Sequence, residues 1–108
     1  MPKIYWGGST LSCTPEALEL DGQPVATSSM ERRLLLFLMD HPDTVLSRER
    51  LLQEVWGYEM AGITRTVDTH IKNLRAHMGV LAPLLTTVRG VGYRLDAHSH
   101  QAHLCRCA

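Results

Sequence analysis

The first quarter of the chain consists of short apolar runs separated by turn residues. Runs of this length with glycine or proline between them are typical of strands. Asp21-Gly22 is a hairpin-type turn pair, because glycine accepts positive φ without steric cost. We therefore expect a small antiparallel sheet over residues 3–26, with its apolar runs at 4–6, 17–20 and 24–26.

Three later segments have the periodicity and the end signals of helices. Ser28 and Glu31 have the spacing of a capping box, and a long apolar run follows them. Ser47 is placed to cap a second segment, whose apolar residues recur at helical spacing until Gly57. Together with a third periodic segment, these signals predict helices over residues 28–40, 47–56 and 64–78.

The third predicted helix has two chemically different faces. At 100° per residue its apolar side chains form one stripe suited to burial, which contains Val67, Ile71, Leu74 and Met78. Asp68 lies one turn before Lys72, so we expect an ion pair that orients a basic side chain. The opposite face is polar and cationic, with Thr66 and His70 on its flank, and contains Arg65, Thr69, Lys72, Asn73 and Ala76.

Residues 84–95 predict a β-hairpin. Two alternating stretches, 86–88 and 93–95, are joined across Arg89-Gly90-Val91-Gly92. The alternation predicts that Tyr93 is buried, and the turn places Arg89 at the tip of the hairpin.

The end of the chain, residues 97–108, predicts a flexible tail. Its Cys-x-Cys pair and loosely spaced histidines lack the spacings of structural zinc sites, so we expect no metal or cofactor. The folded unit is then a single domain over residues 1–96, and the tail carries His98, His100, His103, Cys105 and Cys107.

A formal net charge of zero conceals an uneven distribution of charge. Residues 1–59 contain five basic and nine acidic side chains, whereas residues 60–95 contain five basic and one acidic. If the second segment forms one surface, that surface attracts anions.

Other features limit the class of protein. Three cysteines, two of them one residue apart near the end, suggest no disulfide framework. There is no long apolar run and no signal peptide, so we expect a soluble cytoplasmic protein. No nucleophile motif, paired-carboxylate site or P-loop is present, and we therefore expect no enzymatic activity.

The polar helix face and the arginine-tipped hairpin together suit double-stranded DNA. An α-helix fits the major groove, where Asn73 matches adenine, Lys72 matches guanine or a phosphate, and the Thr69 methyl matches thymine. The narrow minor groove attracts Arg89, and the adjacent glycines would allow the backbone to approach phosphates.

Three motifs in order give the chain a family resemblance. They are Ser-Arg-Glu-Arg-Leu-Leu from residue 47 with Val-Trp-Gly from 55, Arg-Thr-Val-Asp-Thr-His-Ile from 65 with Leu-Arg from 74, and Thr-Val-Arg-Gly-Val-Gly-Tyr-Arg from 87. Over residues 3–96 the chain resembles the OmpR/PhoB-type winged-helix output domain of two-component response regulators. The resemblance implies an α+β winged helix-turn-helix with an N-terminal sheet, three helices and a C-terminal hairpin wing.

The resemblance also implies roles for individual residues. Groove-facing positions are Thr69, Lys72 and Asn73, Arg89 is the wing arginine, and His70 lies between the two sets. Phosphate-contacting positions match Trp56, Arg65, Thr66, Arg75 and Thr87. Trp56 is equally well suited to packing at its helix end.

The resemblance further implies partners for the chain. Family members bind tandem direct repeats, and the loop over residues 58–63 matches one that contacts RNA polymerase or shapes recognition. A receiver domain and a sensor kinase are expected if the chain is part of a longer regulator, although no receiver precedes the sheet in this sequence.

The sequence departs from the family pattern in three places. Asn73 stands where several relatives have arginine, Arg32 stands where the first helix often has an aromatic, and the tail has no counterpart. Relatives' operator sequences are therefore not transferable. The alternative to this function is a winged helix used as a protein-interaction module with weak or no DNA binding, and the zero net charge keeps that alternative open.

Overall fold

A computed structural model describes residues 2–57, 64–98 and 101–105. Its strands in chain order are β1 (Lys3–Trp6), β2 (Ser9–Cys13), β3 (Leu18–Leu20), β4 (Gln23–Val25), β5 (Leu46–Ser47), β6 (Leu85–Val88), β7 (Gly92–Leu95) and β8 (His103–Cys105). Its helices are α1 (Ser29–Asp40), α2 (Arg48–Leu51) and α3 (Thr64–Met78), with a π-helical turn at Leu52–Trp56 and a 3₁₀ turn at Gly79–Leu84.

The N-terminal strands form an antiparallel meander, as the sequence predicts. Asp21 and Gly22 have φ of 53° and 79°, the pair of positive values that a type I′ turn requires. The sheet order is β4-β3-β2-β1-β8, so β8 adds a fifth strand at the free edge of β1.

The flexible tail predicted over residues 97–108 is wrong for residues 103–105, which form β8. Leu104 pairs with Ile4 across the two strands and is 8% exposed, so it extends the core. Asp43 binds the segment between β7 and β8: its Oδ1 accepts from the backbone N–H groups of Ala97 at 3.0 Å and of His98 at 3.3 Å. The sequence signal failed because three residues are too few to show an alternating pattern.

Helices α1 and α2 begin at the predicted capping residues. The Ser28 hydroxyl accepts from the Glu31 N–H at 3.1 Å, and the Glu31 carboxylate accepts from the Ser28 N–H at 3.5 Å. Ser47 caps α2, which continues into the π-helical turn and ends at Gly57 with a φ of 78°. None of the helices in the described ranges has the length and hydropathy that a membrane crossing requires.

A second sheet has the order β5-β7-β6, in which β6 and β7 form the predicted C-terminal hairpin, called the wing below. The buried stripe of α3 packs into a core shared with α1, the π-helical turn and both sheets. The prediction of an α+β winged helix-turn-helix with three helices and two antiparallel sheets is therefore confirmed.

Candidate nucleic-acid interface

Helix α3 separates its apolar and polar side chains as its sequence predicts. Val67, Ile71, Leu74 and Met78 are buried and fix the helix against the core. Arg65, Thr69, Lys72, Asn73 and Ala76 are exposed, so the polar face is free to meet a ligand.

Two of the predicted contact residues bind each other. Arg75 donates through Nε to the carbonyl of Leu85 at 3.0 Å and through Nη2 to the Thr87 hydroxyl at 2.6 Å. Its guanidinium carbon also lies 5.7 Å from the ring centroid of Tyr93. Arg75 therefore fastens α3 to the wing and still has N–H donors left for a phosphate.

The predicted ion pair between Asp68 and Lys72 is wrong. Asp68 Oδ1 accepts instead from Arg48 Nε at 2.8 Å and from the Tyr93 hydroxyl at 2.5 Å. Lys72 points to the exposed face, whereas Arg48 and Tyr93 reach Asp68 from α2 and β7. We call Arg48, Asp68 and Tyr93 the Asp68 cluster.

Sequence reasoning missed the Asp68 cluster because its members lie 20 and 25 positions apart in the chain. Only the burial of Tyr93 was predicted, and it is confirmed by a residual exposure of 5%. Burial, together with the hydrogen bond to the Asp68 carboxylate, raises the pKa of the Tyr93 hydroxyl. The tyrosine is therefore a neutral donor at physiological pH.

The wing tip presents an arginine on a tight turn. The Val91 N–H donates to the carbonyl of Val88 at 2.9 Å, and Gly90 has a φ of 76°. Arg89 is exposed at this turn, as predicted.

The sequence predicts that the wing glycines let the backbone approach phosphates. At Gly92, the second of them, the structure requires glycine for a different reason. A Cβ on Gly92 would lie 1.9 Å from the carbonyl oxygen of Leu46. What approaches Gly92 closely is therefore β5 of the same chain, and the prediction is corrected for this residue.

Three further predicted residues meet at the N-terminal half of α3. The rings of Trp56 and His70 form an edge-to-face contact with centroids 4.9 Å apart. His70 Nδ1 lies 2.9 Å from the carbonyl oxygen of Thr66, a distance that makes Nδ1 the donor. Trp56 both packs against His70 and remains partly exposed.

The cations of this region differ in how far they are neutralised. Arg48 pairs with Asp68, and Arg94 pairs with Asp96 at 2.5 Å. Arg65, Lys72 and Arg89 are exposed and make no ion pair with any acidic side chain in the described part of the chain. Their charge is therefore available to an anionic partner.

Two segments discussed from the sequence, the 58–63 loop and the His/Cys tail, lie wholly or partly outside the described residues. The loop over residues 58–63 lies outside the described residues, as do His100 and Cys107. Within residues 2–57, 64–98 and 101–105, no three histidine, cysteine or acidic side chains converge as metal ligands would. Arg32 is occupied structurally, since it donates to the carbonyls of Pro15 at 2.8 Å and Thr27 at 2.7 Å.

Known proteins resemble this chain in sequence and in fold. The family described as "Transcriptional regulatory protein, C terminal" matches residues 22–95. The transcriptional regulatory protein CseB of Streptomyces avermitilis is 46% identical over 89 residues, which cover 81% of this chain and 37% of the relative. The chain spans about a third of the length of the curated relatives it matches.

Solved structures agree with the sequence comparison. The DNA-binding domain of CpxR from E. coli has a TM-score of 0.71 and 31% identity, and the match covers 89% of this chain and 97% of that one. The Klebsiella pneumoniae RstA DNA-binding domain, solved in complex with the RstA box, has a TM-score of 0.70 and 29% identity, covering 87% and 96%. The chain therefore belongs to the family of C-terminal domains of transcriptional regulatory proteins, of the OmpR/PhoB type.

Proposed function

We propose that the chain binds double-stranded DNA in a sequence-specific manner and thereby regulates transcription. The observation that carries the proposal is the exposed polar face of α3, whose apolar face alone serves the core. The RstA domain, which has the same fold, was solved with its DNA box. The helix would enter the major groove, which is wide enough to admit an α-helix.

Three side chains on the exposed face of α3 would contact the bases. Asn73 has the donor and acceptor needed for bidentate pairing with adenine, and Lys72 suits guanine acceptors or a phosphate. The Thr69 hydroxyl donates to the carbonyl of Arg65 at 3.1 Å, so its methyl group is the part offered to thymine.

The wing supplies a second contact, in the minor groove. Arg89 is exposed at the turn and unneutralised within the described residues. A·T-rich minor grooves are narrow and concentrate negative potential, which favours an inserted arginine. The wing would therefore add a preference for A·T base pairs beside the site that α3 reads.

Phosphates would be contacted by the residues that surround α3. Arg65 and Thr66 lie on the first turn of α3, and the carbonyl of Thr66 contacts the His70 ring that packs on Trp56. Such contacts fix the register of the protein on the duplex and carry no sequence information. The set assigned to phosphates is Trp56, Arg65, Thr66, Arg75 and Thr87, and His70 lies between this set and the groove-facing one.

The curated relatives are about three times as long as the segment that matches this chain. We infer that the chain is the output domain of a two-component response regulator in the cytoplasm, without enzymatic activity, controlled by a receiver domain and a sensor kinase. Two copies would bind tandem direct repeats, and the 58–63 loop would face RNA polymerase.

The test is selection from a randomised duplex library at two salt concentrations. We expect an enriched repeated motif and a log–log salt slope of about 0.9 per phosphate contact. Lys72→Glu should abolish selection, whereas Arg33→Glu, with the same charge change on the exposed side of α1, should not. No enrichment and a shallow slope would instead support the protein-interaction module.

Two further variants separate the proposed contacts. Asn73→Ala should relax preference at one base position by about 1–3 kcal/mol. Arg89→Ala should weaken binding most on A·T-rich flanks. An equal loss on every sequence would contradict both assignments.

A further inference from the structure

The Asp68 cluster joins the three elements that surround the proposed DNA surface. Its carboxylate oxygen accepts from Arg48 on α2 and from Tyr93 on β7, while Asp68 itself lies on α3. Each member therefore comes from a different element. A single oxygen that accepts two donors at 2.8 and 2.5 Å restricts all three elements at once.

The ring of Tyr93 extends the cluster towards the wing. The guanidinium carbons of Arg48 and Arg75 lie 5.9 and 5.7 Å from the ring centroid. Across the hairpin, Tyr93 pairs with Thr87, the residue whose hydroxyl accepts from Arg75. The wing is thus fastened to α3 on both of its strands: Arg75 binds Leu85 and Thr87 on β6, and Asp68 binds Tyr93 on β7.

The position of these fastenings matters because they lie next to the wing tip: Thr87 stands two residues before Arg89, and Tyr93 stands two residues after Val91. Arg89 follows β6 directly, and the strands of the wing are only four residues long. A small rotation at Tyr93 therefore displaces the tip relative to α3. DNA offers its major and minor grooves at a fixed separation, so such a displacement changes which base pairs Arg89 meets.

Asp68 is unsuited to contact DNA itself, because its carboxylate would be repelled by phosphates. Tyr93 is buried and its hydroxyl is occupied by Asp68. The two side chains therefore act on DNA through the elements that they hold.

We propose that Asp68 and Tyr93 are positioning residues that set the spacing between the base pairs read by α3 and the A·T-rich step read by Arg89. This inference rests on the proposed function. The Asp68 cluster would thus contribute to sequence specificity without contacting any base.

The experiment compares Tyr93→Phe, Asp68→Ala and the double variant with the wild type in the duplex selection. Tyr93→Phe removes only the hydroxyl, and Tyr5→Phe, an exposed tyrosine on β1, is the matched control. Both single variants should keep the bases read by α3 and lose about fivefold in the preference for one spacing to the A·T-rich step. The double variant should lose no more than Asp68→Ala alone, since Asp68→Ala already removes the acceptor of the Tyr93 hydroxyl.

A second measurement is made without DNA. Backbone amide relaxation and residual dipolar couplings report the motion of Gly90 and Val91 relative to α3. In both variants the wing tip should become more mobile, while the amides of α3 keep their wild-type order.

The outcomes are distinguishable. Additive losses in the double variant, or unchanged spacing with uniformly weaker binding, would overturn the positioning role and leave the proposed function standing. A wild type that selects no motif would overturn the proposed function and with it the spacing role. An unchanged wing tip in both variants would overturn the inference whatever the selection gives.

Discussion

At the scale of single residues, the two glycines of the wing are required for different reasons. Gly90 has a positive φ with open space around its Cα, whereas Gly92 has the β5 backbone against it. Gly90→Ala should cost about 1–2 kcal/mol, the usual strain of a left-handed residue. Gly92→Ala should cost about 3 kcal/mol or more, because β5 has to separate from β7. Urea unfolding measures both, and equal losses would contradict the assignment.

The thiol of Cys13 is buried, so its protonation differs between the folded and the unfolded chain. Burial raises the pKa of its thiol from 9.0 to about 12, although the nearby charge of Arg32 opposes the rise. The unfolded chain therefore releases the thiol proton at lower pH than the native one, and this contribution to stability is lost as pH rises from 9 towards 12.

The measurement is the free energy of unfolding against pH for the wild type and Cys13→Ala. Above about pH 9 the wild type should lose stability more steeply than the variant, because only its unfolded state gains a thiolate there. Parallel curves over that range would show that Cys13 titrates alike in both states.

The sequence predicted single residues well where the relevant neighbours are local. Lys72, Asn73 and Arg89 are exposed as predicted, because helical periodicity and turn chemistry alone determine their direction. The partner of Asp68 was wrong, because an i,i+4 rule ranks only neighbours on one helix. Arg48 and Tyr93 come to Asp68 through tertiary packing, which one sequence does not reveal.

At the scale of elements, the capping box of α1 gives a sharp prediction. Ser28→Ala removes the acceptor of the Glu31 N–H and should cost about 1 kcal/mol in thermal or urea unfolding. Ser29→Ala, one residue later and exposed, is the matched control and should be neutral or slightly stabilising. Equal effects of the two substitutions would mean that the cap contributes nothing measurable.

Elements were predictable in proportion to the length of their pattern. Helix α1 has a capping box and both α1 and α3 have several turns of periodicity, so their bounds agree closely with the structure. The π-helical turn at Leu52–Trp56 was predicted as ordinary helix, because its apolar residues also fit the α-helical period. It places Trp56 against His70 on α3.

At the scale of the whole molecule, the segment after β7 ties the two ends of the domain together. Asp43 accepts from the N–H of Ala97 and of His98, and its own N–H donates to Leu95 at 2.8 Å. The chain then reaches β8 on the edge of β1. Covering that edge removes a row of unpaired backbone groups that would otherwise invite another strand.

This closure yields a prediction about stability. Leu104 is buried opposite Ile4, whereas the neighbouring His103 is exposed on the same strand. Leu104→Ala should lower the free energy of unfolding by about 2 kcal/mol, because an apolar side chain leaves the core. His103→Ala is the matched control and should stay within about 0.5 kcal/mol of the wild type.

Hydrogen exchange shows whether that loss arises at the sheet edge. The amides of β1 that pair with β8 should exchange faster in Leu104→Ala. The amides of α3 should exchange faster only by the amount that the lower global stability explains, because α3 makes no strand pairing with β8. DNA selection should be unchanged, since β8 lies on the N-terminal sheet and the proposed reading surface lies on α3 and the wing. Unaltered exchange in β1 would mean that β8 forms no part of the cooperative fold, and the closure of the sheet would then contribute nothing to its stability.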